Sequence, residues 1–118
     1  MSPISVLIAE QEVVISLDLK LFLKNNNFKI ISIVNNGKDL IIDYKLKKPD
    51  LMIMDFDFKF MNAMKEIRKT NHPPIIFISG FYQPKLEKFC NMFSPCTVLK
   101  KPILKTELLK SIMEYFPI

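Results

Sequence analysis

Five short apolar stretches constrain this chain more than any other feature of it. They are Ser5–Ala9, Lys29–Val34, Leu51–Met54, Ile75–Ile78 and Thr97–Leu99. They are rich in Ile, Val and Leu with little polar alternation, the pattern of strands covered on both faces. The segments between them carry apolar residues at helical spacing. Val14, Leu17 and Leu21 fall at i, i+3 and i+7, before Asn25-Asn26-Asn27 stops the first helix. Leu40, Ile41 and Tyr44 line a second helix after the Asn35-Asn36-Gly37 turn. Met61, Met64 and Ile67 mark a short third, ended near His72-Pro73-Pro74, and a fourth is predicted from about Pro84 to Met92. In the last, Leu104, Leu108, Leu109, Ile112, Met113 and Phe116 form one apolar stripe. The order is (βα)5. Alternation of this kind predicts an α/β fold: a doubly wound parallel five-stranded sheet with right-handed crossovers and helices on both faces.

At 118 residues the chain is the size of one ordinary domain, so residues 1–118 are expected to share a core. Hydrophobic residues make up 49% and charged residues 25%, a soluble globular balance. No apolar run approaches a membrane span. The opening MSPISVLIAE has no basic n-region or small-residue cleavage site, so a cytoplasmic location is expected. Cys90 and Cys96 are expected as reduced structural thiols, since a pair without further Cys or His companions is weak ground for a disulfide or a zinc site.

The net charge of +5 is unevenly spread. Met1 to Phe58 carries seven Lys and eight acids, whereas Lys59 to Ile118 carries ten Lys or Arg and four acids. A basic second half favours an acidic partner, nucleic acid or membrane headgroups. Its lysines are scattered singly, however, as on a solvated face. No nucleic-acid-binding module or Arg–aromatic cluster is present, so nucleic acid is disfavoured. No membrane partner is expected.

The stretch LMIMDFDF, Leu51 to Phe58, ends a buried run in two carboxylates, Asp55 and Asp57. A carboxylate entering an interior is costly unless paired, hydrogen-bonded or metal-bound. Parallel sheets gather their sites at the carboxyl ends of strands, near the point where strand order reverses. If the first, third, fourth and fifth strands abut, they bring Glu10-Gln11-Glu12, Asp55, Ser79-Gly80 and Lys100-Lys101 to one edge. Clustered carboxylates invite a hard divalent cation, above all Mg2+, which prefers oxygen ligands. A lysine offsets anionic charge and a hydroxyl donates to an anionic oxygen. Together these groups suit phosphoryl transfer to a carboxylate nucleophile, with Asp55 the natural acceptor.

The chain resembles the receiver domain of two-component response regulators over essentially its whole length. VLIAEQE, Val6 to Glu12, is similar to the family's opening strand with its acidic pair. MDFD, Met54 to Asp57, sits where the family carries its phosphoacceptor aspartate. FISGF, Phe77 to Phe81, matches the strand ending in Thr or Ser, and LKKP, Leu99 to Pro102, matches the Lys-Pro step. The resemblance implies a CheY-like, flavodoxin-like fold. It makes Asp55 the phosphorylated aspartate, Ser79 the switch hydroxyl and Lys101 the phosphate-contacting lysine, with a cis Lys101–Pro102 bond. The implied Mg2+ ligands are Glu10, Gln11, Asp55 and the backbone carbonyl of Asp57, whose side chain would be incidental. Ser79-Gly80-Phe81 also resembles the Thr-Gly-Tyr version found in a branch tied to alphaproteobacterial stress signalling.

On that resemblance the chain is a stand-alone receiver and phosphoprotein, a signalling domain and not an enzyme beyond Mg2+-dependent self-phosphorylation and dephosphorylation. Its phosphodonor would be a sensor histidine kinase or a histidine phosphotransfer protein. Its output would pass to a downstream protein target with an acidic surface, the chain itself being a monomer or weak dimer.

Several positions depart from the family pattern. Gln11 holds the second place of the acidic pair, which costs one charge and predicts weaker Mg2+ binding. Glu12 lies beside it, but a shift of one residue redirects a side chain. Lys59 stands where proline is usual and Ala63 where glycine is common; Lys59 is expected to point outward. The segment from Asp55 to Ser79 is short, so a truncated third helix is expected. Val98 takes the place of the aromatic that reports activation; Phe81 is a candidate substitute, but is expected as a buried core phenylalanine. These departures favour a rival reading, a pseudo-receiver that serves as a phosphorylation-independent interaction module. A flavodoxin-like nucleotide-binding enzyme is disfavoured: only Gly37 and Gly80 are present, and no phosphate-cradling loop follows the first strand. His72 is expected at the surface, the methionines as core filler, and Lys100 pointing away from the site if Lys101 points in.

Overall fold

The computed structural model describes residues 2–80 and 84–117. All five apolar stretches are strands: β1 (Ser5–Ala9), β2 (Lys29–Val34), β3 (Leu51–Asp55), β4 (Ile75–Ser79) and β5 (Cys96–Lys100). Between and after them run α1 (Val13–Asn25), α2 (Gly37–Lys47), a 3-10 turn (Phe58–Phe60), α3 (Met61–Arg68), α4 (Pro84–Asn91) and α5 (Lys105–Tyr115). The strands form one parallel sheet in the order β2-β1-β3-β4-β5. The order reverses between β1 and β3, where this architecture opens its binding crevice.

Every residue of β3 and β4 is buried, as both-face coverage requires. The side chains alternate between two cores. Leu7, Ala9, Met52, Met54, Ile75 and Phe77 face one, which also holds Leu40 of α2 and Ala63, Met64 and Ile67 of α3. Val6, Ile8, Leu51, Ile53, Ile76 and Ile78 face the other, with Leu19 and Leu23 of α1 and Leu108 and Ile112 of α5. Met52, Met54 and Met64 are at most 1% exposed and fill the core, whereas Met92 and Met113, at 46% and 42% exposed, do not. Phe77 is ringed by Phe56, Phe89 and Phe93 with centroids 5.6–5.9 Å away, an edge-on arrangement that anchors α4 to β4. α3 is only eight residues long, in line with the short Asp55–Ser79 segment.

Local signals set the helix ends. Asn36 caps α2 by accepting the Asp39 N–H at 2.9 Å, and Lys48 closes it in the left-handed region at φ 46°. Asn27, at φ 69°, turns the chain after α1.

Two expectations are corrected. Val14, Leu17 and Leu21 do not face the core. They are 80%, 53% and 63% exposed, while Ser16, Leu19 and Leu23 are buried. α1 is apolar on more than one side, so spacing alone selects the wrong stripe; packing selects the one that contains a serine. In the last stripe likewise Leu108 and Ile112 are buried, but Leu104, just before α5, and Met113 are exposed. The second correction concerns the thiols: Cys90 of α4 and Cys96 of β5 are joined in a disulfide. The end of α4 and the start of β5 bring the two Cα atoms to 5.6 Å, a proximity that a spacing of six residues does not reveal.

His72 is half-buried before β4, its Nδ1 2.8 Å from the Pro73 carbonyl and its ring tilted against Phe93. Val98 is half-buried against the first core. Phe81 lies outside the described residues. No helix among them is long and apolar enough to cross a membrane.

Candidate functional site

The pleat decides which strand-end residues meet. Glu10 continues the parity of Val6 and Ile8, its N–H extending the ladder to the Val34 carbonyl at 3.0 Å. Asp55 continues that of Leu51 and Ile53, and Lys101 that of Leu99; all of these face α1 and α5. Three polar side chains are thus delivered to one point beyond the apolar layer. Lys101 Nζ lies 3.1 Å from Asp55 Oδ1 and 3.3 Å from Glu10 Oε1. Ser79, 3% exposed, ends β4 on the opposite parity, and its carbonyl accepts the Lys101 N–H at 2.7 Å. The next peptide bond, Lys101–Pro102, is cis, as is Ser94–Pro95.

Glu10 and Asp55 are only 3% and 7% exposed. One Glu10 oxygen, Oε2, accepts the Gln11 N–H at 2.8 Å. The other, Oε1, is fully buried, and its partner is the Lys101 ammonium at 3.3 Å. Burial raises the Glu10 pKa above its ordinary 4.5, the negative charge of Asp55 adds to this, and Lys101 opposes it. Burial pulls Lys101 down, but the hydrogen bond and charge of Asp55, with the charge of Glu10, outweigh it and leave the ammonium above its ordinary 10.5.

Gln11 and Asp57 complete the site in a way the sequence pattern hides. The Gln11 amide nitrogen donates to Asp57 Oδ2 at 2.6 Å and lies 3.4 Å from Asp55 Oδ2. Asp57 Oδ1 accepts the Lys59 N–H at 2.9 Å, and the Asp57 carbonyl accepts the Phe60 N–H at 3.1 Å within the 3-10 turn. The Asp57 side chain is therefore no bystander: it ties the loop after β3 both to its own turn and to the loop after β1. A signal for this was present, because Asp two residues before a backbone N–H is a common turn former. Lys59 and Lys100 are exposed and point outward, and Glu12 is exposed at the start of α1. The turn sits tightly against α2, since a Cβ on Gly37 would come within 2.9 Å of the Lys59 carbonyl.

Glu10, Gln11, Asp55, Asp57, Ser79 and Lys101 thus meet at one edge of the sheet. Among the described residues, no group of three or more Asp, Glu, His or Cys side chains is closed around a metal position. The Lys101 ammonium and the Gln11 amide stand between the carboxylates. The donor set still fits a hard cation, because Glu10, Asp55 and Asp57 offer only oxygen.

The family model of the response regulator receiver domain matches residues 6–113, and the chain belongs to that family. It is 30% identical over 113 residues to the transcriptional regulatory protein PdtaR of Mycobacterium tuberculosis, covering 93% of this chain and 55% of that protein. The chain therefore spans about half the length of the curated relatives it matches. Among solved structures, the response regulator domain of Thermotoga maritima CheB superposes with a TM-score of 0.84 at 19% identity, covering 98% of each chain. A chain of the CheX–CheY–BeF3–Mg2+ complex from Borrelia burgdorferi gives 0.81 at 23%, covering 98% of this chain and 91% of that one. The anti-anti-sigma factor PhyR of Bartonella quintana gives 0.77 at 21%, covering 98% and 48%. At these identities the likeness is one of fold.

Proposed function

We propose that this receiver accepts a phosphoryl group on Asp55 from a phosphohistidine and signals through protein contacts. The observation that carries the reading is the Lys101–Asp55 pair, 3.1 Å long and placed beside the buried end of β4. An Asp55 carboxylate oxygen would form the new O–P bond as the N–P bond of the donor breaks, the imidazole leaving with the shared electron pair. Lys101 would offset charge on the phosphoryl oxygens and Ser79 would orient one of them. Bound Mg2+ would be held by Glu10, Asp55 and the Asp57 carbonyl, and would supply further charge compensation at the phosphoryl group. Lys101 and Ser79 are already linked through the backbone, so a change at one is transmitted to β4 and β5.

The partner surface is proposed on α1. This helix begins three residues after Glu10 and exposes Val13, Val14, Leu17 and Leu21. An apolar stripe beside a reactive carboxylate suits a helical phosphodonor, either a histidine kinase or a phosphotransfer protein. The pseudo-receiver reading is favoured by the eight-residue α3 and by the Gln11 amide seated between Asp57 and Asp55.

An amide NMR titration with Mg2+, then with Mg2+ and beryllofluoride as a phosphoryl mimic, separates the two. Shifts at Asp55, Ser79 and Lys101 that need both ligands and vanish in Asp55→Asn are the expected result. No shift at millimolar concentrations of both would leave only the phosphorylation-independent module.

A further inference from the structure

We infer that the Gln11 side-chain amide is a latch on the acidic pocket, and that its rotation is what admits a divalent cation. The inference rests on the receiver reading above, and it concerns the one residue that most departs from the family pattern.

Gln11 Nε2 stands 2.6 Å from Asp57 Oδ2 and 3.4 Å from Asp55 Oδ2. Ionised carboxylates only accept, so the amide must turn its NH2 toward them. The reverse orientation would press the amide oxygen against two negative groups. The backbone beneath the amide is held as well, because the Gln11 N–H donates to Glu10 Oε2 at 2.8 Å. Asp57 is fixed from its far side by the Lys59 N–H at 2.9 Å. Without a cation, then, the loops after β1 and β3 are stitched together through one neutral side chain.

That stitch has the wrong polarity for a metal. A cation among these carboxylates attracts the amide oxygen and repels the N–H group. To bind at Asp55 Oδ2 it must displace the Nε2 contact there, and the amide, held by its bond to the charged Asp57 Oδ2, the stronger class of hydrogen bond, must rotate or swing clear. Gln11 therefore does more than omit a charge. It competes with the cation for Asp55 Oδ2, and its bond to Asp57 Oδ2 holds it there.

The two roles differ in what truncation does. If Gln11 only failed as a ligand, removing its side chain would leave Mg2+ affinity unchanged or lower. If it is a latch, Gln11→Ala frees Asp55 and Asp57 and binds Mg2+ more tightly than wild type, by about tenfold for one charge-assisted bond no longer broken. Gln11→Asp should bind more tightly still. Calorimetric titration with MgCl2 on all three proteins measures this. The wild-type Gln11 side-chain NH2 resonances, followed by NMR over the same titration, test rotation with no substitution at all.

Tighter binding by Gln11→Ala, with wild-type NH2 resonances moving in step with saturation, is the expected result. Equal or weaker binding by Gln11→Ala, with Gln11→Asp tighter, overturns the latch and leaves the receiver reading standing. An NH2 pair that stays in place at saturation overturns it also. If none of the three proteins binds Mg2+ at tens of millimolar, the latch and the metal-dependent receiver fall together.

Discussion

The Lys101 ammonium lies 3.3 Å from a buried Glu10 oxygen. The attraction does not restore what burial removes, since the Glu10 pKa remains raised. A carboxyl whose folded pKa is raised contributes stability below its unfolded value, near 4.5, and loses that contribution as pH climbs through the folded value. At pH 7 the charged Glu10 is thus a net cost. Glu10→Gln should raise Tm at pH 7 by about 5 °C, or roughly 1 kcal/mol for a domain of this size. The gain should fade as pH falls toward 4.5. A lower Tm at pH 7, read by thermal circular dichroism, would contradict this.

Lys101→Met leaves Glu10 and Asp55 facing each other without their shared cation. With 20% of its side chain exposed, Lys101 is only partly desolvated, so the loss should be roughly 2 kcal/mol, below that of a fully buried pair. Its raised pKa means that this stabilisation is present below 10.5 and disappears as pH rises through the higher folded value. The difference between the two proteins should therefore narrow in strong alkali. Adding Glu10→Gln should reduce the cost of Lys101→Met, and a double-mutant cycle in urea measures that coupling.

Gly37→Ala should destabilise the chain by about 1–2 kcal/mol, although alanine is the better helix former. The new methyl would meet the Lys59 carbonyl at 2.9 Å, and that carbonyl belongs to backbone that cannot rotate aside. Because Lys59 also anchors Asp57, the amide resonances of Lys59 and Phe60 should shift in the folded variant. An unchanged Tm and unchanged resonances would refute the close approach.

A Leu17→Asn, Leu21→Asn variant should keep its Tm within a few degrees, as both side chains are more than half exposed. Its phosphorylation by acetyl phosphate should match wild type. Transfer from a phosphorylated histidine phosphotransfer domain should slow at least about tenfold, as for the loss of two contact residues. Equal slowing with both donors would point to damage at the site and away from α1.

Much of this was legible in the residues. Five strands and five helices follow from runs and spacing, because a sheet buried on both faces leaves no room for polar alternation. Strand ends were less exact: β3 takes in Asp55, β4 takes in Ser79 and β5 runs from Cys96 to Lys100. Polar residues close a strand in sequence but still pair in the ladder. In α1, Val14, Leu17 and Leu21 make as good a stripe as Leu19 and Leu23 do, so spacing does not choose between them. Periodicity finds a face without saying which way it looks. The meeting of Glu10, Asp55 and Lys101 followed from topology. The bond between Gln11 and Asp57 did not, because it joins two loops 46 residues apart whose side-chain directions no period governs.

The site is mounted on the ends of strands whose interiors are sealed. Residues 6–9 of β1 and all of β3 and β4 are buried, and they carry Glu10, Asp55 and Ser79 at or just past their tips. Chemistry held by the innermost frame is insulated from drift on the outside of the molecule. Helix surfaces can be rewritten, and a helix can be as short as α3, without misplacing the pocket. Substitutions confined to the outer faces of the helices should therefore leave the positions of Glu10, Asp55 and Ser79 unchanged.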